Sequence, residues 1–183
     1  QQLMPILISE NIYSMEIKII HSKNRKKTVS ARLIDGIMHI NAPSGMPQDS
    51  LEKMIENFKK QFEKRRIKKE LNAKKDLKDT AQKLNQQYFE GKIKIESITY
   101  VTNQNRLFGS CHHRNKTIRL SHRLAEMPEW VRDYVIVHEM AHILEPNHGK
   151  AFWALVSRYP LSERARGFLM AKGFQSEEED DVG

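Results

Sequence analysis

The chain has 183 residues, 39% hydrophobic and 30% charged, a balance that reads as one globular, soluble domain with a real core. No stretch approaches the roughly 18–20 apolar residues of a membrane helix. The single cysteine, Cys111, excludes an internal disulfide and a multi-cysteine metal site, and fits a reducing, cytoplasmic setting. The formal charge of +8 leaves a polyanionic partner open, with much of the surplus in the run from Lys59 to Lys75.

In chain order, the apolar start Gln1–Ile8 has no basic residue ahead of it and no small-residue cleavage site, so no secretory signal is expected. Thr28–Ile34 and Ile37–Ile40 flank Asp35-Gly36, a pair suited to a two-residue turn, and predict a β-hairpin. From about residue 48, Leu51, Met54, Ile55, Phe58 and Phe62 recur at three- and four-residue steps, predicting a long helix whose other faces carry lysine and arginine. The helical pattern runs to about Tyr88 with a break near Asp76–Thr80, and Gly91 ends it. Strand patterns follow at Ile93–Val101 and Thr117–Leu120, with a polar, irregular stretch from Thr102 to Lys116 between them. Pro128 opens a helix over Glu129–Leu144 that stops before Pro146, and helices over Gly149–Arg158 and Ser162–Lys172 complete the chain. Glu177 to Asp181 form an acidic tail expected to be disordered. The expected organisation is a single domain over 1–175: a hairpin region (1–46), a basic helical region (47–90) and a metal-binding core (91–175), followed by the tail at 176–183.

The chemistry is concentrated in His138-Glu139-Met140-Ala141-His142, an HExxH pattern, followed by His148. Residues four apart share a helix face, so His138 and His142 aim two imidazoles at one point. Glu139 lies about 100° further round the helix, within reach of a metal-bound water without being a ligand. Pro146 breaks the helix, and a turn there returns His148 as a third ligand. The surrounding Val135, Ile136, Val137, Met140, Ala141, Ile143 and Leu144 predict a buried helix, in which unsatisfied histidine and glutamate are costly. Three imidazoles leave one position for water, so the pattern points to one zinc ion, or another divalent transition metal, and to hydrolysis with Glu139 as general base. The spacing from His138 to His148 is that of metzincins, but Glu145 stands where that family needs glycine and no Met-turn follows.

The flanks narrow the reading. Tyr100–Gln104, Gly109-Ser110-Cys111, Thr117–Leu124, Asp133–Glu139 and Asn147–Trp153 together resemble the YgjP-like metallopeptidase family, most strongly over residues 95–160. The resemblance implies an α+β fold in which the hairpin and long helix lead to a zincin-like catalytic domain related to the SprT proteases, with a small sheet and the HExxH helix. It implies a metal-dependent hydrolase with the three histidines and Glu139 in the roles above and says little about the substrate; a peptidase acting on a peptide or protein is the expected reading. Some members are linked to nucleotide pyrophosphate hydrolysis, which stays open as an alternative. The family has Arg-Trp before Gly-Ser-Cys, where this chain has Leu107-Phe108 preceded by Arg106; Phe108 can stand in as an apolar wedge.

Gly109, Ser110, Cys111 and His112 are candidate cleft residues, and Arg119 and Arg123 candidates for binding a carboxylate or phosphate, against a plainer reading as surface ion pairs. Cys111 also reads as a thiol packed beneath the site, His112 and His113 as loop histidines, His122 as support for a strand-to-helix junction, and Phe152 and Trp153 as core that fixes the third ligand. The basic helix 59–75 is a solvated face or a non-specific nucleic-acid surface, and a nucleic-acid module with a structural metal is the last alternative.

Overall fold

Alternation and turn chemistry build the first sheet. Strands β2 (Ser30–Ile34) and β3 (Ile37–Pro43) pair antiparallel across Asp35 and Gly36, whose φ values of 50° and 80° are those of a hairpin turn that only such residues enter cheaply. The sheet holds more than the expected hairpin, because β1 (Ile17–Ser22) adds parallel to β3, giving the order β1-β3-β2. The computed structural model describes residues 15–74 and 76–173; the apolar start and the acidic tail lie outside them.

Contacts divide the chain into two compact units, residues 1–65 and 66–183. In the first, Met38, Ile40 and Ala42 project from alternate positions of β3 and are buried with Leu51, while Ile55, Phe58 and Phe62 continue the cluster. These last four lie on helix α1 (Gln48–Ala73), and their spacing is the stripe read from the sequence. Its basic residues Lys60, Lys64, Arg65, Lys68 and Lys69 stand exposed. The expected helix break falls slightly earlier than 76–80: α1 ends at Ala73 and α2 (Asp76–Phe89) begins with two acidic residues in its first turn, Asp76 and Asp79, which the helix dipole favours.

The second unit is organised around helix α3 (Glu129–Leu144), in contact with α2, α4 (Lys150–Val156), α5 (Ser162–Ala171) and the second sheet. That sheet has the order β4-β6-β5, with β4 (Ser97–Val101) parallel and β5 (Gly109–His112) antiparallel to β6 (Thr117–Ser121). Strand β5 corrects the reading of 102–116 as irregular throughout. Four residues, Gly-Ser-Cys-His, carry no hydrophobic alternation, and the strand exists because β6 pairs with it. His122 opens a 3-10 turn, His122–Glu126, at the junction where it was expected to act.

Two asparagines hold main chain in place of a strand neighbour. Buried Asn85 donates to the Ile93 carbonyl at 2.7 Å and accepts from the Ile93 N–H at 3.2 Å. Asn72 donates to the Tyr100 carbonyl at 3.0 Å and accepts from its N–H at 2.8 Å, on the edge strand β4. Each pair satisfies groups that would otherwise be buried unpaired. Among the described residues no helix is long and apolar enough to cross a membrane.

Candidate metal centre

Helix α3 forms where Pro128 precedes a run of helix-compatible apolar residues, and it is buried through Val131, Tyr134, Val135, Ile136, Val137, Met140 and Ala141. This apolar packing presents His138 and His142 on one face, their ring centroids 5.0 Å apart. The helix ends at Leu144, and extended backbone at Glu145 leads through Pro146 to His148. His148 returns to the same place: its Nε2 lies 3.3 Å from Nε2 of His138, and its ring centroid 4.6 Å from that of His142. One ligand atom from each of the three histidines lies within 4.8 Å of the others.

The floor beneath them is Phe152, fully buried on α4, with its ring centroid 4.9, 4.4 and 4.6 Å from those of His138, His142 and His148. Trp153 stands beside it, 6.0 Å from His138 and 5.8 Å from His148. The expectation that these two residues fix the third histidine fits this packing.

The residues suit a cation. Zn–N bonds of about 2.0–2.1 Å at a tetrahedral angle put two ligating nitrogens roughly 3.3–3.4 Å apart, and His138 and His148 meet that spacing at 3.3 Å. His142 Nδ1 is 3.1 Å from the Pro146 carbonyl; as the N–H donor there it leaves Nε2 as the lone-pair nitrogen, the usual orientation of a metal-binding histidine. Burial drives the His138 pKa well below 6.5, with the neighbouring His142, His148 and Arg166 pushing the same way. Burial, then His148, lowers His142 to about 4, although the Pro146 and Glu145 carbonyls pull it back. Both rings are therefore neutral at physiological pH, the form that donates a lone pair.

Glu139 is 5% exposed and lies against β5. A Cβ on Gly109 would stand 2.8 Å from both Cγ and Cδ of Glu139 and nearest of all to Oε1, so a side chain at 109 would force the carboxylate out of this position. A cavity of about 20 Å³ lined by Gly109, His138, Glu139 and Tyr134 has room for one water molecule.

The other candidates separate by strand face. Gly109 and Cys111 pair with fully buried Leu120 and Ile118, so their side turns towards α3; Ser110 and His112 pair with Arg119 and Thr117 on the opposite side. Cys111 is half-buried against the core, and burial, then the Glu139 charge, pushes its thiol up to about 12. On the other face, Ser110 Oγ accepts from Gln104 at 2.7 Å, Arg119 donates to Asn103 at 2.9 Å, and His112 Nδ1 accepts the Asn115 N–H at 3.2 Å. Arg123 places its guanidinium 4.4 Å above the ring of fully buried Phe108 and donates to the Asn105 and Lys172 carbonyls. Arg123 thus meets residue 108. Tyr134 escaped the sequence reading. It lies one turn before His138, its ring 6.0 Å away, and the four-residue step that pairs the histidines was the available signal.

Residues 92–167 match the family model of the YgjP-like metallopeptidase domain. No curated protein matches the chain. Among solved structures, the metallopeptidase zymogen of Pyrococcus abyssi abylysin aligns with a TM-score of 0.45 and 16% identity, over 52% of this chain and 92% of that one.

Proposed function

We propose that this chain, a metal-dependent hydrolase with a YgjP-like metallopeptidase domain at 92–167, is a zinc peptidase in which His138, His142 and His148 hold one ion and Glu139 is the general base. We assign the catalytic core to residues 91–175 and, from the single cysteine, its setting to the cytoplasm. The observation that carries the reading is the convergence of three imidazoles, with ligand atoms within 4.8 Å of one another, one residue away from a buried carboxylate. Zinc bound there would bring the pKa of a coordinated water down towards about 7 and polarise a substrate carbonyl.

The protein's own groups do the rest. Glu139 takes the proton of the attacking water and later delivers it to the leaving amine. Neutral His138 and His142 would offer lone pairs to the cation, and Phe152 packs against all three rings. Gly109 lets the Glu139 carboxylate approach the strand.

A peptide is favoured over a nucleotide by the edge of the sheet. The Phe108 carbonyl accepts the Ser121 N–H at 2.8 Å, so in the alternating antiparallel ladder the main-chain groups of Gly109 and Cys111 point away from β6. Strand β5 is an edge, and an extended peptide can pair there beside Glu139.

The test loads parent and Glu139→Gln protein with zinc and incubates each with casein and with nucleoside triphosphates. The expected result is casein cleavage by the parent alone, with zinc content by elemental analysis equal in the two and rates differing by about 10²–10⁴-fold. A zinc-replete Glu139→Gln protein that cleaves at the parental rate refutes the mechanism, and cleavage of nucleotides but not casein refutes the substrate class. His142→Ala is expected to lose the metal.

A further inference from the structure

The outer face of the first sheet carries a basic row that the hydrolytic chemistry does not use. Along β3, Met38, Ile40 and Ala42 point into the core, so Ile37, His39 and Asn41 point the other way. The register carries that division to both neighbouring strands. Lys18 of β1 and Arg32 of β2 each pair with His39, and Ile20 and Ser30 each pair with Asn41. Lys18, His39 and Arg32 therefore lie side by side across all three strands. The two cations are two strand spacings apart, about 9–10 Å at the backbone. Both are exposed, and His39 is half-buried between them.

The positive charge of this face is not balanced locally. No ion pair among the described residues involves Lys18 or Arg32. Over residues 16–43, six lysines and arginines stand against two carboxylates, Glu16 and Asp35. Both carboxylates belong to the turn end of the sheet, beside Ile37. At the opposite end the connection from β1 to β2 carries Lys23, Arg25, Lys26 and Lys27, so the basic surface continues past the row. Cations gathered in this way repel one another, and a polyanion relieves the repulsion while releasing its own counterions.

The neighbouring side chains say which polyanion fits. Asn41 and Ser30 set neutral hydrogen-bonding groups beside the cations, and lysine, arginine, asparagine and serine are the side chains that hold phosphate oxygens in nucleic-acid complexes. Residues 16–43 contain no Phe, Tyr or Trp, so the face has no platform for stacking bases and can read only the backbone. A membrane surface would favour an apolar centre. Here the centre is His39 and Asn41, while Ile20, Ile34 and Ile37 stand at the rim. We propose that the outer face of the β1-β3-β2 sheet binds the phosphate backbone of nucleic acid without sequence preference, through Lys18 and Arg32.

The test is fluorescence anisotropy of two fluorescein-labelled oligonucleotides, single strands of unrelated sequence, titrated with the full chain at about 50 to 200 mM salt. The parent is expected to bind both equally, with Kd on the order of 10⁻⁶–10⁻⁴ M. Each phosphate contact on a single strand contributes about −0.7 to the slope of log K against log salt. Lys18→Gln with Arg32→Gln is therefore expected to flatten the slope by about 1.4 and to weaken binding at low salt by about 10–60-fold. The pair Lys18→Arg with Arg32→Lys keeps both charges and is expected to keep the slope. Lys60→Gln with Lys64→Gln removes the same charge from exposed positions of α1 and is expected to leave the slope unchanged. A parent that binds neither strand overturns the proposal. So do equal losses in the two neutral pairs, since net charge rather than the sheet face then holds the strand. Displacement of the oligonucleotide by poly-glutamate at equal charge would assign the face to an acidic protein, and sedimentation with phosphatidylserine vesicles in place of oligonucleotide binding would assign it to a membrane; either result overturns the nucleic-acid reading. The metal centre takes no part in this binding, so Glu139→Gln protein is expected to give the parental isotherms, and failure here leaves the peptidase reading untouched.

Discussion

Replacing Gly109 with alanine tests the placement of Glu139 without touching a histidine. The added Cβ would lie 2.8 Å from Cγ and Cδ of Glu139, while ordinary van der Waals contact begins near 3.4 Å, so the side chain must retreat by about 0.6 Å and its carboxylate Oε1 by more. A displacement approaching 1 Å of a catalytic group costs on the order of 10²-fold in rate, and we expect kcat to fall by about 10–100-fold. Overpacking of this kind destabilises by about 1–3 kcal/mol, which a thermal melt registers separately. The ligand set is unchanged, so zinc stoichiometry by elemental analysis is expected to match the parent. The assay is peptide hydrolysis by folded, zinc-replete protein. Parental kcat in Gly109→Ala, or a loss of activity that accompanies loss of zinc, refutes the assignment of Gly109 as the residue that admits Glu139.

Three further outcomes follow from the same geometry. Because folding holds His138 and His142 neutral, with His142 lowered from 6.5 to about 4 by burial first, the unfolded chain binds more protons than the folded one in that window. The melting temperature of metal-stripped protein is expected to be highest above pH 6.5 and to fall as the pH drops towards 4; a flat profile across that window contradicts it. Cys111, raised to about 12 chiefly by burial, is expected to resist iodoacetamide at pH 8 in the folded protein and to react once denatured, as intact mass would register. Asn85→Ala strands the Ile93 N–H and carbonyl, and an equilibrium unfolding curve is expected to show a loss of about 1–3 kcal/mol; a change below a few tenths would mean that water replaces the amide.

The three-histidine cluster was legible in the linear order of residues because its rules are local. His138 and His142 meet through the helical repeat, Pro146 ends the helix, and His148 follows within reach of a turn. The hairpin at Asp35-Gly36 and the limits of α3 were readable for the same reason, since turn chemistry and apolar periodicity act over a few residues. Tertiary packing alone decided the rest. Strand β5 has no pattern of its own and exists through its pairing with β6. That pairing sets Gly109 and Cys111 towards α3 and sends Ser110, His112 and Arg119 to the other side, a division invisible in the run Gly-Ser-Cys-His. Gly109 meets Glu139 across 30 residues of chain, and Arg166 meets Trp153 from a separate helix. Such contacts depend on how helices and strands stack, a long-range matter on which the spacing of neighbouring residues is silent.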